Sequence, residues 1–278
     1  MTKQPRVLTA QAFACLGKSS GSTALPVLTA MGLECGLLPT ALLSTHTGFP
    51  EATFLPLTQQ MTEIIAHWRK QDLRFDGMYL GYLTAPIQAA LVGEVVEKLA
   101  NPHCVVVVDP VMGDNGKLYH GFDNEFVEKM YTLCSYADII CPNVTEACFL
   151  TGIPYKELPD EDYALGLARK LKSTGAGTIV ITGIVRGDEY GALCYDAATD
   201  KFHTHYRSRI PGVYCGTGDI FASVLSSTLT IGKSLEEALD AAIDFVHDSI
   251  LNTQDEKEKY YYGVKFEQCL GKLCDIVK

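Results

Sequence analysis

A run of four consecutive valines constrains the fold of this chain more than any other feature. It lies in Cys104–Asp109, and a second β-branched run, Thr-Ile-Val-Ile-Thr, covers Thr178–Thr182. Neither run alternates apolar with polar residues, so each strand is expected to be covered on both faces, as in the parallel sheets of α/β proteins. Segments with helical spacing, such as Pro56–Lys70, lie between the strand-like segments. The sequence therefore predicts a doubly wound α/β fold.

The remaining strand-like and helix-like segments follow the same alternation, with no linker or internal repeat between them, so residues 1–278 are predicted to form a single domain. Further predicted strands are Arg6–Ala12, Leu33–Ser44, Gly77–Leu80, Ala137–Cys141 and an antiparallel pair, Gly191–Asp196 with Phe202–Tyr206. Further predicted helices are Gly21–Met31, Pro86–Leu99, Phe122–Tyr136, Thr145–Leu150, Asp160–Ser173, Thr217–Thr230, Leu235–Asn252 and Val264–Val277.

Composition excludes several classes of protein. Hydrophobic residues make up 47% of the chain, which favours a sizeable core over disorder. The formal net charge of −10 argues against nucleic acid as a partner, and no apolar run approaches the length of a membrane span. The ten cysteines form no Cys-x-x-Cys pair, and the N-terminus does not resemble a signal peptide. We therefore expect a cytoplasmic protein with reduced thiols.

The segment Gly216-Thr217-Gly218-Asp219 precedes an apolar helical pattern and is the strongest indication of function. Glycines permit tight backbone conformations, and a helix that begins here would direct free N–H groups and its positive dipole end at an anion, most plausibly a phosphate. A carboxylate beside that anion is better suited to accept a proton from an attacking hydroxyl than to bind phosphate. The alternative is a glycine-rich turn in which Asp219 stabilises the start of the helix.

Further polar residues follow the ends of predicted strands, where open α/β sheets bind ligands. Asp109 and Asp114 offer hard oxygen ligands for Mg²⁺ or its water shell, although either could cap a helix or stabilise a turn. Asn143 and Glu146 begin the next helix, where position alone does not separate capping from metal binding. Thr182 with Gly183 forms a polar strand end that could meet nucleotide phosphates or simply turn.

Two other motifs carry less weight. The sequence Gly17-Lys18-Ser19 suggests a phosphate-binding P-loop, but the earlier glycine that this motif requires is absent, since positions 12 and 13 are Ala12 and Phe13. We therefore reject a P-loop. His46, in Thr-His-Thr-Gly, follows a predicted strand, and we expect a structural rather than a catalytic role for a lone histidine.

Six motifs, whose order along the chain is preserved, resemble the ribokinase-like superfamily and, within it, the pyridoxal kinases, over nearly the whole chain. They are Gly216-Thr217-Gly218-Asp219, Asp109-Pro110-Val111-Met112-Gly113-Asp114, Pro142-Asn143 with Glu146, Gly81-Tyr82-Leu83, Thr47 in His-Thr-Gly, and Tyr119 in Gly-Lys-Leu-Tyr. The resemblance implies a three-layer α/β/α sandwich, ATP as co-substrate, Mg²⁺, a monovalent cation such as K⁺, and a homodimer.

The resemblance also implies a role for each motif residue. Asp219 would deprotonate the 5′-hydroxymethyl group of a B6 vitamer, and backbone N–H groups from Gly216 to Gly218 would stabilise the transferring phosphoryl group. Tyr82 and Thr47 would contact the pyridine ring. The residues implied for the nucleotide are Asp109, Tyr119, Asn143, Thr182, Gly183 and Thr217. Those implied for the cations are Asp109, Asp114 and Glu146.

One position departs from the resemblance. Many pyridoxal kinases have a serine near the end of the first strand that touches the ring, whereas this chain has Ala12, which cannot make that hydrogen bond. The sequence therefore leaves the preferred vitamer open. Two other readings remain: a hydroxymethylpyrimidine kinase, which often has Gly-Thr-Gly-Cys where this chain has Asp219, and a non-catalytic vitamin-binding protein.

Overall fold

The computed structural model describes residues 4–46 and 48–277, so Thr47 lies outside the described residues. The strands in that part of the chain are β1 (Arg6–Leu16), β2 (Glu34–Thr45), β3 (Phe54–Pro56), β4 (Phe75–Leu80), β5 (Ala100–Val108), β6 (Gly113–Asp114), β7 (Lys117–Leu118), β8 (Ile139–Ile140), β9 (Thr178–Arg186), β10 (Glu189–Asp196) and β11 (Lys201–Ser208). The α-helices are α1 (Gly21–Ala30), α2 (Thr58–Lys70), α3 (Pro86–Leu99), α4 (Asn124–Cys134), α5 (Val144–Thr151), α6 (Glu161–Leu171), α7 (Thr217–Thr230), α8 (Leu235–Leu251) and α9 (Leu270–Ile276).

The central sheet has the strand order β11-β10-β9-β8-β5-β4-β1-β2-β3. The run from β9 to β2 is parallel throughout, while β3 at one edge and β10 and β11 at the other are antiparallel. The chain starts in the middle of the sheet and winds outward in both directions. The predicted doubly wound, mostly parallel sheet is confirmed, as is the predicted antiparallel pair at its edge.

Helices cover both faces of this sheet, which gives the three layers that the resemblance implies. Helices α2 to α6 pack on one face against side chains such as Leu8, Met78 and Val108. Helices α1, α7, α8 and α9 pack on the other face against residues that include Val7 and Val107. Neighbouring residues of one strand therefore enter opposite cores, which explains why the valine run shows no polar alternation.

Several helix boundaries follow from capping side chains. Asn143 and Glu146 form a capping box at the start of α5, and Ser234 does the same with Glu237 at the start of α8. The predicted helix at Val264–Val277 is wrong in its first part. Phe266–Cys269 forms a 3₁₀ turn there, and α9 begins only at Leu270.

Candidate active site

The candidate site lies where the loops after β4, β5 and β8 meet the N-terminus of α7. Asp109 directly follows β5, Asn143 follows β8 as the N-cap of α5, and Tyr82 lies just beyond β4. A backbone bridge joins Asn143 to Thr182, near the middle of β9. The strand end predicted at Thr182 and Gly183 is wrong, because β9 continues to Arg186. Parallel strands present their carboxyl ends at one edge of a sheet, so residues far apart in sequence meet here.

The turn into α7 requires glycine at its first position. Gly216 has φ of 78°, and a Cβ there would lie 1.9 Å from the carbonyl oxygen of Lys18. The Thr217 hydroxyl donates to the Tyr214 carbonyl at 3.2 Å, which steadies the turn. Gly218 is exposed, and a Cβ there would meet no other atom within 4 Å. The N-terminal N–H groups of a 14-residue helix are thus held at the site by a backbone conformation that favours glycine.

Asp219 lies in the first turn of α7 and is half-buried. Loss of hydration raises the pKa of its carboxyl to about 6, against the opposing effect of hydrogen bonds from the Ser20 backbone and the Tyr79 hydroxyl. Ser20 has a positive φ of 50° and belongs to the loop that also supplies Lys18. The carboxylate is therefore anionic at neutral pH and more basic than an ordinary aspartate.

Asp109 is 7% exposed and lies close to Asp219. Burial and, next, the negative charge of Asp219 raise the pKa of Asp109 to about 8. The hydroxyl of Tyr79 is 3.4 Å from an oxygen of Asp109 and 3.4 Å from an oxygen of Asp219. Burial and the two carboxylates raise the pKa of Tyr79 well above its ordinary value, so the phenol keeps its proton.

Glu146 is 2% exposed and has both carboxylate oxygens occupied by backbone donors. One oxygen accepts from Asn143 N–H at 2.8 Å and the other from Met112 N–H at 3.1 Å. Burial and then the charge of Asp109 raise its pKa well above the ordinary value. The Asn143 amide donates to the Gly113 carbonyl at 2.9 Å. The capping role that the sequence left open is thus present, and the metal-binding role stays a prediction.

Asp114 is exposed and forms a turn rather than facing the buried carboxylates. Its two oxygens accept from the backbone and side chain of Asn115 at 2.8 and 2.9 Å. Asn115 and Gly116 both have positive φ, 51° and 74°, and link β6 to β7 in a tight hairpin. Asn-Gly is the preferred pair for such a hairpin, so the sequence contained a signal for it that our prediction missed.

The charges of four carboxylates nevertheless all influence one side chain, that of Tyr119. Burial raises the pKa of Tyr119 beyond its usual range, and further contributions come from Glu146, Asp114, Asp109 and Asp219. Among the described residues, no three His, Cys, Asp or Glu side chains form a ready-made metal cluster. Mg²⁺ usually takes one or two carboxylates and completes its shell with water and substrate phosphates, so this donor set fits the ion. A bound cation would also relieve the repulsion among these carboxylates.

Tyr82 covers a small apolar patch. The patch consists of Ala12, Ala14, Ala41 and Leu43, which are each at most 5% exposed. The Tyr82 ring lies 5.8 Å from that of Phe122, and its carbonyl accepts from the Thr40 hydroxyl at 2.9 Å. The predicted ring-contact residues Ala12 and Tyr82 are therefore brought together.

The other predicted nucleotide contacts lie around the same edge of the sheet. Tyr119 follows the β6–β7 hairpin and is 41% exposed, and its N–H donates to the Met112 carbonyl at 2.9 Å. Gly183 is exposed, has φ of 84°, and has open space where a Cβ would lie. Nothing in their contacts opposes a nucleotide here, and their roles stay predictions.

His46 has a structural role, as the sequence led us to expect. Its Nδ1 accepts from Gly48 N–H at 2.8 Å, so its Nε2 carries the hydrogen that is donated to the Tyr262 carbonyl at 2.7 Å. The ring fastens the loop after β2 to a segment near the C-terminus. Lys18 reaches the same segment through an ion pair of 2.8 Å with Glu267.

The sequence reasoning missed Tyr79, Gln11 and Ser20. In the sequence, Tyr79 resembles an ordinary core residue of a strand, and Gln11 is simply one residue of the first predicted strand. Only the register of β1 against β4, which pairs Thr9 with Tyr79, brings these polar groups together beneath the carboxylates. A buried glutamine in an otherwise apolar strand was the one available signal.

Comparison with known proteins identifies the class. The family model described as phosphomethylpyrimidine kinase matches residues 25–263. The chain therefore belongs to the phosphomethylpyrimidine kinase family, and its fold is the ribokinase-like fold of its structural neighbours.

Individual relatives narrow the comparison to kinases of vitamin B6. A pyridoxine/pyridoxal/pyridoxamine kinase of Bordetella avium is 29% identical over 257 residues, which cover 89% of this chain and 85% of that protein. The structure of a Bacteroides thetaiotaomicron protein described as a phosphomethylpyrimidine kinase, obtained with pyridoxal, is 34% identical with a TM-score of 0.92 and covers 98% of this chain and 96% of that one. Pyridoxal kinase from Lactobacillus plantarum is 33% identical with a TM-score of 0.90, covering 98% and 97%.

Proposed function

We propose that this protein transfers the γ-phosphoryl group of ATP to the 5′-hydroxymethyl group of pyridoxal, pyridoxamine or pyridoxine. The observation that carries the proposal is the position of Asp219, in the first turn of α7 and beside the N–H groups that begin that helix. A base and an anion-binding helix terminus in one turn suit transfer of a phosphoryl group to an alcohol.

Asp219 is the proposed general base. With a pKa of about 6 it is ionised at neutral pH, and it is basic enough to accept the hydroxyl proton as the oxygen attacks phosphorus. The N–H groups from Gly216 to Gly218 would then stabilise the negative charge on the transferring group. A protein that only bound the vitamin would have no use for a base at this position.

Tyr82 and the alanine patch are proposed to receive the pyridine ring, with Thr47 as a further contact. Tyr82 is partly exposed beside Ala12 and so offers an aromatic face to a flat substrate. Because Ala12 lacks a hydroxyl, ring recognition here would depend more on shape and stacking than in relatives with serine. The nucleotide is assigned to Asp109, Tyr119, Asn143, Thr182, Gly183 and Thr217.

Mg²⁺ and a monovalent cation such as K⁺ are the proposed cofactors. Asp109 and Glu146 would hold Mg²⁺ directly or through water, with Asp114 at the rim, because their raised pKa values and mutual repulsion favour a cation. When bound, Mg²⁺ would neutralise charge on the phosphates of ATP. The protein residues would bind and orient the nucleotide around it.

The proposal is tested by offering pyridoxal, pyridoxamine, pyridoxine and hydroxymethylpyrimidine separately with ATP. Phosphorylated product is measured with and without Mg²⁺ and K⁺. We expect turnover of at least one B6 vitamer, and loss of turnover when Mg²⁺ is omitted. Turnover of the pyrimidine alone would instead favour the activity that gives the family its name. If none of the four compounds is phosphorylated, the result would favour a binding protein.

We further propose that the protein forms a homodimer and is located in the cytoplasm. The projecting ends of β1, β2 and β3 expose Leu16, Leu42, Phe54 and Leu55, each between 40% and 60%. Exposed apolar residues that lie close together mark protein–protein contacts. In the part of the chain that the structure describes, no helix has the length and hydropathy of a membrane span.

A further inference from the structure

Tyr79 lies beneath the two carboxylates at the centre of the site. Its side chain is fully buried, and its hydroxyl is 3.4 Å from both Asp109 Oδ2 and Asp219 Oδ1. No apolar packing requirement explains a hydroxyl at this position, because phenylalanine would fill the same volume without a polar atom to satisfy.

The phenol has one proton and two possible acceptors. It can therefore donate to only one carboxylate at a time, and rotation about the C–O bond moves the proton from one acceptor to the other. The acceptor with the greater negative charge forms the stronger hydrogen bond. The phenol is thus placed to donate to Asp219 while that carboxylate is ionised.

Gln11 and Thr9, both on β1, are polar neighbours of the Tyr79 side chain. Both are fully buried, and the Gln11 amide donates to the Thr9 hydroxyl at 3.1 Å. Gln11 also lies close enough to the Tyr79 hydroxyl to oppose, in part, the rise in its pKa. A Cβ on Gly81 would lie 3.0 Å from the Gln11 amide carbon, so the glycine leaves room for this side chain. The polar row Thr9–Gln11–Tyr79 is therefore enclosed on all sides by the sheet and the core.

We propose that Tyr79 is a positioning residue that donates its hydrogen bond to Asp219 and orients that carboxylate for proton abstraction. Before the reaction the phenol donates to the Asp219 carboxylate and fixes its rotamer. As the substrate O–H bond breaks, its proton goes to Asp219 and the oxygen forms the new bond to the γ-phosphorus of ATP. The bond from that phosphorus to the bridging oxygen breaks, and ADP leaves. The Tyr79 proton stays on the phenol throughout.

This inference rests on the proposed function, and a double-mutant cycle of Tyr79→Phe and Asp219→Asn tests it. Single-turnover formation of the phosphorylated vitamer is measured for the wild type, both single variants and the double variant. We expect Tyr79→Phe alone to lower the rate constant about tenfold, the value of one ordinary hydrogen bond, with KM for ATP and vitamer within about twofold. In the Asp219→Asn background we expect the same substitution to change the rate less than about twofold.

A merely structural phenol would give a different pattern. Tyr79→Phe would then reduce the rate by the same factor in both backgrounds, or would raise KM without changing the rate constant, and either result would overturn the inference. A Tyr79→Phe variant with the wild-type rate constant would also overturn the inference. A wild type that phosphorylates no vitamer would overturn the proposed function and this inference with it, whereas an active wild type with additive effects overturns only the role of Tyr79.

Tyr195→Phe is the matched control. Tyr195 is also buried, and its hydroxyl donates to a carboxylate, Asp200, at 2.8 Å on the β10–β11 side of the sheet. We expect this variant to keep the wild-type rate. Thermal melting of each variant checks folding. If Tyr79→Phe does not fold, Tyr79→Met fills a similar volume without a donor and supports or overturns the inference by the same comparison.

Discussion

Asp219 has to satisfy two opposing requirements, and its neighbours explain how it does so. Burial favours the neutral acid and makes the carboxylate more basic, while donors from Ser20 and Tyr79 favour the anion. The resulting pKa of about 6 leaves the group ionised at neutral pH without making it as weak a base as a solvated aspartate. A base poised near the working pH is the efficient choice for proton transfer.

This balance predicts a pH profile. Because the base must be deprotonated to act, kcat/KM should fall as the pH drops through about 6, rather than through the pH of about 4 that an ordinary aspartate would give. Below that point the loss should approach tenfold per pH unit. The measurement is direct chromatographic detection of product between pH 4.5 and 8, with protein stability checked at each pH. A profile that stays flat down to pH 4.5 would contradict this value for the base.

At the residue scale, the sequence revealed the groups that have a motif around them. Asp219, Asp109, Asn143 and Glu146 were all found from glycines, strand ends or helix starts nearby. Tyr79 was not, because its role depends on two aspartates that are 30 and 140 residues away along the chain. Only the packing of α7 against the sheet brings the three together.

The turn into α7 positions both the anion-binding N–H groups and Asp219. The backbone at Gly216 passes so close to Lys18 that the loop after β1 and the start of α7 form one unit. That loop also supplies the Ser20 N–H that reaches Asp219, so the base and the anion-binding turn share a support. Ser20 itself has a positive φ, which shows how tightly this loop is constrained.

The two glycines of this turn should respond differently to alanine. Gly216→Ala would place a Cβ 1.9 Å from a backbone oxygen at φ of 78°, so we expect a large drop in melting temperature and at least about tenfold lower turnover as the turn shifts. Gly218→Ala meets nothing within 4 Å and keeps its N–H, so it is the matched control and should melt at or above the wild-type temperature. Equal melting temperatures for the two variants would show that the close approach at Gly216 is not required.

Elements were predicted well where local pattern and burial agree. The bounds of α3 and α7 match the structure, because a proline or a glycine marks each start. The β6–β7 hairpin was missed because two-residue strands carry no periodic signal, and its Asn115-Gly116 turn was the one local sign of it. At the C-terminus, apolar residues at helical spacing led to one long helix, whereas the chain first bends into a 3₁₀ turn in which Phe266 and Cys269 are buried.

At the scale of the whole molecule, the fold is asymmetric at its edges. At one edge, β11 faces α8 through His203, His205 and Arg207, which pair with Asp240 and Asp244. At the other edge, Leu42 of β2 lies opposite Leu55 of β3, and both are at least 40% exposed. The second edge is therefore the better candidate for contact with another copy of the chain.

The proposed homodimer makes a prediction about this edge. In size-exclusion chromatography with light scattering, the wild type should have twice the mass of the 30.3 kDa chain. Leu55→Asp should give a monomer, because a charge would be buried in the apolar contact. Leu158→Asp is the control, since Leu158 is 57% exposed and lies apart from this edge, before α6. A monomeric wild type, or equal dissociation of both variants, would contradict a dimer formed through β3.

The role of Asp219 as the base of a B6 vitamer kinase can be tested with a single substitution. Wild type and Asp219→Asn are each mixed with ATP, Mg²⁺, K⁺ and pyridoxal, and pyridoxal 5′-phosphate is quantified over time, while binding of ATP and pyridoxal is measured separately. We expect product from the wild type, a loss of several orders of magnitude in the variant, and binding that persists in both. Near-normal turnover by Asp219→Asn, or no product from the wild type with any vitamer, would contradict this role.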